Sequence, residues 1–340
     1  MPVVALGTAP LMTNEQDSSG FNPLDSFHGF LPEQTYPSVQ ALLDMKLQNK
    51  SKPIHIDTAL FYGTHPHIRQ VLGNAFMNGT LKRSDFFLTT KVFHMNDGFG
   101  LEEMGLCMPS DPDCEMTYKK VYKFVTKQFQ QALHECGVGY FDLVLLHWPG
   151  RQHPKTSQEK NAQHRLAAWH VLEEAYARGW TRSIGVSNFS EHHLEELQKL
   201  NEAAAAATKR SVPVVRPHVN QIEASVFVQH TGILEYCLQH QIVAMAYSPL
   251  GRGVMQVTTN TAVQKLATQY GKDTGQVALK YLLQKGYGSV VFWTKNPKRV
   301  VTNHDLFDFE LTDSELQELD GLNRTDGKGT WGLLSPYTIP

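Results

Sequence analysis

Four residues able to manage a proton beside a carbonyl fall near the ends of successive β-type runs. Asp57 and Tyr62 lie in HIDTALFYG, Lys91 ends FFLTTK, and His147 stands in DLVLLHWP. A carbonyl accepts hydride poorly until its oxygen gains a proton or a strong hydrogen bond. A tyrosine can give that proton, although its ordinary pKa is about 10. A neighbouring ammonium lowers that value by favouring the phenolate, and a buried ammonium needs a carboxylate to stay charged. The roles that follow are Tyr62 as acid, Lys91 as its tuner, Asp57 as support for Lys91, and His147 as the donor that orients the substrate oxygen. Each residue alone has an ordinary structural reading. A strand-end Asp can cap a helix, a Lys is usually solvated, a loop Tyr packs, and a His in an apolar run can be a satisfied core residue. Their placement on consecutive strand ends points to a single mouth.

Short apolar runs that could deliver these ends occur at 3–7, 54–57, 86–90, 141–147, 183–186, 214–221, 243–247 and 289–292. Most are continuously apolar, as parallel strands buried on both faces must be. Helical patterns fall between them at 117–136, 166–178, 191–200, 262–270 and 276–285, and another helix begins at Pro297 with Asn296 as N-cap. This alternation predicts an α/β fold, a (β/α)8 TIM barrel forming one domain over 1–340. No G-x-G-x-x-G follows the first run, which argues against an open dinucleotide-binding sheet. Two segments read as additions: a loop at 94–116, rich in Gly, Pro, Asp and Met, and a helix or loop extension with an alanine run at 201–213.

The segments IDTALFY, TTK and LLHWP, in this order, resemble the signatures of the aldo-keto reductases. LGT at 6–8, GVSNFS at 185–190, VNQIE at 219–223 and AYSPLG at 246–251 resemble the family's first strand and its cofactor-binding strand ends. The resemblance runs from about residue 3 to 320. It implies an oxidoreductase that reduces aldehydes or ketones with NADPH, with Asp57, Tyr62, Lys91 and His147 as catalytic tetrad. It also implies cofactor contacts from Thr8, Asp57, Ser187, Asn188, Gln221, Tyr247, Ser248, Leu250, Arg252, Thr294, Arg299 and Asn303, with Tyr247 stacking on the nicotinamide. Phe93, His147 and Trp148 stand where the family lines its substrate pocket.

The chain departs from the family in three places. It starts almost directly at a strand, where the family usually opens with a β-hairpin under the barrel. The 94–116 loop lies on the catalytic face and should shape the substrate pocket. In VVFWTKNPKRVVTN, Trp293 stands where the family has a lysine for the adenosine 2′-phosphate and Thr294 where it has a serine. A charge that favours phosphate is thus lost. Arg299, Thr294, the helix start near Asn296, and Lys295 or Lys298 remain as donors, so NADPH is favoured and NADH is possible.

Composition excludes several other functions. Thirty-one basic residues face thirty-three acidic ones, for a net charge of -2, so no field draws the chain to nucleic acid or an anionic membrane. No signal peptide or apolar run of membrane-spanning length is seen, and four cysteines without a C-x-x-C pair suit a reducing cytoplasm. Sixteen histidines invite a metal, but neither His65 with His67 nor His192 with His193 has zinc-ligand spacing, and no metal is expected. His65 and His67 could rim the substrate mouth, and the apolar tail GTWGLLSPYTIP could fold back over the barrel. A monomer or weak oligomer acting on a small carbonyl compound is expected. The alternatives are a regulatory protein that keeps the barrel and a barrel hydrolase using Asp57 and Glu223.

Overall fold

The computed structural model describes residues 1–9, 36–48, 53–94, 117–150, 157–208, 212–324, 329–330 and 335–339. Apart from His94, the 94–116 loop lies outside the described residues, as do Cys107, Cys114 and 209–211 of the 201–213 extension.

The eight strands are β1 (Val4–Gly7), β2 (Ile54–Asp57), β3 (Phe86–Val92), β4 (Leu143–Leu146), β5 (Ile184–Ser187), β6 (Val219–Glu223), β7 (Val243–Tyr247) and β8 (Ser289–Phe292). They form a closed parallel barrel in sequence order, with β8 pairing back onto β1 through Val4 and Val290. All eight expected runs are strands. The expected start at 214 is displaced, however, because Pro213 and Pro217 have no N–H for a ladder and β6 begins at Val219.

Successive side chains alternate across a strand. Odd-numbered residues therefore face the barrel interior, where Ala5, Leu143, Leu145, Val219, Met245 and Val291 form a buried cluster of their own. Space in an eight-stranded barrel is short. Gly185 has no side chain for that reason: a Cβ there would meet Val219 O at 2.4 Å and Leu145 Cδ2 at 2.8 Å. Asp57, Lys91 and His147 continue the same inward columns and so come to stand above this cluster, at the C-terminal end of the barrel.

The helices are α1 (Tyr36–Gln48), α2 (His65–Met77), α3 (Tyr118–Cys136), α4 (Gln158–Ala177), α5 (Glu191–Thr208), α6 (Thr231–Gln239), α7 (Thr261–Tyr270), α8 (Thr274–Gln284), α9 (Pro297–Thr302) and α10 (Asp313–Asp320). In α3, Thr117 accepts from Lys120 N at the start, and Gly137 ends the helix at φ 62. Its Val121, Val125, Phe129, Ala132 and Cys136 are buried against the barrel. Helix α4 starts before the expected 166 because Ser157 caps it through Lys160 N. The alanine run continues α5 to Thr208. Helices α1, α2, α6 and α10 lie outside the expected helical patterns, although Thr312 and Glu315 form a capping box at the start of α10. No helix among the described residues is long and apolar enough to cross a membrane.

Candidate active site

Lys91 sits in β3 beside Asp57, the last residue of β2. Its Nζ donates to Asp57 Oδ1 at 2.5 Å and to Thr58 O at 3.1 Å. Gln221 Nε2 from β6 donates to the other carboxylate oxygen at 2.8 Å, so both Asp57 oxygens are engaged. A 3-10 turn at Leu60–Tyr62, closed by Gly63 at φ 65, carries Tyr62 over this pair. Lys91 Nζ lies 5.2 Å from the centre of the Tyr62 ring. The Tyr62 hydroxyl is 3.5 Å from His147 Nε2. Phe93 stacks on His147 from the next turn of chain, with ring centres 4.5 Å apart. The four expected catalytic residues therefore stand together.

Their protonation follows from burial opposed by charge. Burial lowers the affinity of Lys91 for its proton, but Asp57 and Tyr62 outweigh burial and hold its pKa above the usual lysine value. Burial, aided by Lys91, holds His147 well below the ordinary imidazole value, so the ring is neutral at physiological pH. Tyr62 corrects the expectation of a lowered pKa. Lys91 pulls the hydroxyl down as anticipated, but burial pushes it up by more, so the phenol keeps its proton.

Asp57, Tyr62 and His147 line one end of a cleft of about 590 Å³, with Lys91 buried behind them. Ser187, Asn188, Gln221 and Tyr247 line its middle, and Trp293, Thr294, Lys295, Asn296 and Arg299 line its far end. Asn188, at φ 63, turns the chain off β5. Its side chain then joins three strands: Tyr247 OH donates to Asn188 Oδ1 at 2.8 Å, and Asn188 Nδ2 donates to His147 O at 3.0 Å. Ser187 Oγ donates to Gln221 O at 2.8 Å. Ser248, Leu250 and Arg252 also line the cleft.

Two expected cofactor residues do not line it. Thr8 is buried behind Asp57, with Oγ1 donating to Asp57 O and meeting Thr64 Oγ1. Asn303 caps the end of α9, and its Nδ2 is buried without a partner among the described residues. The expectation that His65 rims the mouth is also corrected. His65 opens α2 and is fully buried, with Nε2 on Thr90 Oγ1 and Nδ1 3.4 Å from Glu135.

On the substrate side the cleft is lined by Phe61, Tyr62, Phe93, His147 and Trp148. Ile339 packs with Phe61, Phe93 and Trp148, and its carbonyl meets His193 Nε2 at 2.9 Å. The expected return of the tail is thus present at this residue. Phe61 and Ile339 were not anticipated as site residues. Phe61 is the neighbour of Tyr62 and could have been found there, but nothing local marks Ile339. The hydrolase alternative loses its carboxylates: Asp57 is paired, and Glu223 Oε1 accepts Thr330 N at 2.6 Å. Among the described residues no group of three or more His, Cys, Asp or Glu is placed to hold a metal.

The sequence model of the Aldo/keto reductase family matches residues 28–324. The chain belongs to the aldo/keto reductase family. Among its relatives in this family of oxidoreductases, glyoxal reductase of Bacillus subtilis (strain 168) is 30% identical over 276 residues, which are 81% of this chain and 80% of the relative. Aldose reductase C of Dictyostelium discoideum is 28% identical over 283 residues, 79% of this chain and 77% of the relative. The crystal structure of Bombyx mori aldo-keto reductase in complex with NADP superposes with a TM-score of 0.69 at 25% identity, covering 95% of this chain and 90% of the other.

Proposed function

We propose that this aldo/keto reductase reduces an aldehyde or ketone to an alcohol with NADPH, using Tyr62 as the general acid. The observation that carries this reading is a protonated tyrosine held between a Lys91–Asp57 ion pair and a neutral histidine, in a cleft of about 590 Å³. NADPH supplies the hydride when bound. The residues present fit it. Tyr247 lines the cleft beside Asn188 and Gln221, and Lys295 and Arg299 line it as cations that suit phosphate groups.

His147 presents an uncharged imidazole, so Nε2 donates a hydrogen bond to the carbonyl oxygen without itself giving up a proton. Tyr62 Oη transfers its proton to that oxygen as the carbon is reduced. The phenolate left behind is stabilised by Lys91, whose charge Asp57 maintains. Phe61, Phe93, Trp148 and Ile339 exclude water from the reacting carbon. A monomer or weak oligomer in the cytoplasm completes the reading.

The test is loss of NADPH absorbance with a panel of aldehydes and quinones, run beside NADH. Turnover supports the reductase. Tight cofactor binding with no turnover across the panel would favour a regulatory barrel, and absence of dinucleotide binding would sink the reading altogether.

A further inference from the structure

The loop that carries Tyr62 is closed at its base by side chains. Thr58 and Thr64 stand on either side of the 3-10 turn, and their Oγ1 atoms meet at 2.8 Å. Thr64 Oγ1 also meets Oγ1 of Thr8, the residue after β1, at 3.1 Å, and Thr8 Oγ1 donates to Asp57 O at 3.2 Å. Thr8, Thr58 and Thr64 are all buried. The order of donation follows because each hydroxyl has one proton. Thr8 gives its proton to the Asp57 carbonyl, so it accepts from Thr64. Thr64 is then spent as a donor and accepts from Thr58. The hydroxyl chain therefore runs one way, from Thr58 through Thr64 and Thr8 to the backbone of Asp57.

Thr64 gives up an ordinary duty to take part. It is the N-cap of α2, a position where a threonine hydroxyl commonly accepts from an N–H of the first turn. Thr117 and Thr312 do so at the starts of α3 and α10. Thr64 makes no such bond, and its hydroxyl turns inward instead. Inside the loop, Tyr62 N donates to Ala59 O and Gly63 N to Leu60 O, which shapes the turn without joining its ends. Thr58 O meanwhile accepts from Lys91 Nζ at 3.1 Å. One end of the loop is thus tied to the tetrad ammonium, and the hydroxyl clasp ties the other end to the first.

Resting on the reductase reading above, we propose that Thr64 is a positioning residue for the general acid. Its hydroxyl, clasped to Thr58 and anchored through Thr8 to Asp57, fixes the loop so that the Tyr62 hydroxyl stays near Lys91 Nζ and His147 Nε2. Thr64 does not line the cleft, so it meets neither cofactor nor substrate there. A displaced proton donor costs rate rather than affinity, because the geometry of the reacting groups is lost while the binding contacts remain.

The experiment compares wild type with Thr64→Val, Thr64→Ser, Thr58→Val and the Thr58→Val/Thr64→Val double variant. Steady-state kinetics with an aldehyde and saturating NADPH are run beside NADP+ titrations and thermal midpoints. Thr64→Val removes the hydroxyl and keeps the branched shape. It should lower kcat about tenfold, the scale of one hydrogen bond, and leave KM and NADP+ affinity within about twofold. Thr64→Ser restores the hydroxyl and should bring kcat back to within about threefold of wild type. Thr58→Val opens the same clasp and should match Thr64→Val, and the double variant should be no slower than either. If Thr64→Val does not fold, Thr58→Val decides in its place. An unchanged kcat in the valine variants, a loss that serine does not recover, a loss carried by KM or NADP+ binding, or additive losses would each overturn the role of Thr64, while wild-type turnover keeps the reductase reading. A wild type that binds NADP+ and reduces no carbonyl would remove that reading and this proposal with it.

Discussion

Phe93 and His147 lie ring on ring, with planes 21° apart and centroids 4.5 Å apart. Both are buried, and among the described residues His147 Nδ1 has no hydrogen-bond partner that would fix the ring. The stack is what aims Nε2 at the Tyr62 hydroxyl.

Phe93→Ala should therefore reduce kcat about threefold to tenfold, from the roughly 0.5–1.5 kcal/mol that an aromatic pair contributes. Phe93→Tyr keeps the ring and should keep kcat. Steady-state kinetics decide; an unchanged kcat in the alanine variant would mean that His147 is oriented by something else.

Tyr62→Phe should lower carbonyl reduction by at least about a hundredfold, the lower range for a lost general acid, while NADPH affinity stays within about twofold. Because burial raises the Tyr62 pKa, its protonated form persists to higher pH than in a free tyrosine. In absorbance titrations of the cofactor-free protein, the wild type minus Tyr62→Phe should show phenolate appearing only above the ordinary value of 10.0. A phenolate forming below that value would contradict the protonated acid.

Asp57 and Lys91 are nearly inaccessible and satisfy each other. Asp57→Asn or Lys91→Met alone strands the other charge and should cost about 3–5 kcal/mol in urea unfolding. The double variant should cost clearly less than the sum of the two. Additive losses would show that the ions do not depend on each other.

Stability should also fall steeply in mild acid. Burial depresses His55, His94 and His193 to about 3 and His65 to about 4. Unfolded histidine titrates near 6.5, so below that pH the unfolded chain binds protons the folded chain refuses. Folding stability is therefore intact above 6.5 and is lost as pH falls towards 4, by about 1.4 kcal/mol per pH unit for each such histidine. Thermal midpoints across this window check the slope. His94, fully buried, is the residue to replace: His94→Leu should make the fall shallower, and an identical profile would remove His94 from the account.

The strands were legible because parallel strands covered on both faces must be apolar throughout, and the tetrad because its members end those strands. Helix α2 was not. It opens His-Pro-His, and its buried Ile68, Val71, Leu72 and Ala75 acquire meaning only against the barrel. Helix α6 starts from His230 in a left-handed conformation at φ 44, without a side-chain cap. The direction of the Tyr62 shift was hidden for a different reason. The charged neighbours could be read from residue types, but the degree of burial, which outweighs them, could not. Ile339 shows the limit most plainly, since no local pattern brings residue 339 to Phe93 and Trp148.

Ser38 and Thr294, 256 positions apart, are joined across the seam where β8 meets β1. During synthesis, the Ser38–Thr294 bond and the β1–β8 pairing wait until nearly the whole barrel has left the ribosome. A nascent chain stalled before β8 has no place for an adenosine. A cofactor bound in the closed cleft would therefore stabilise only chains in which β8 has paired with β1.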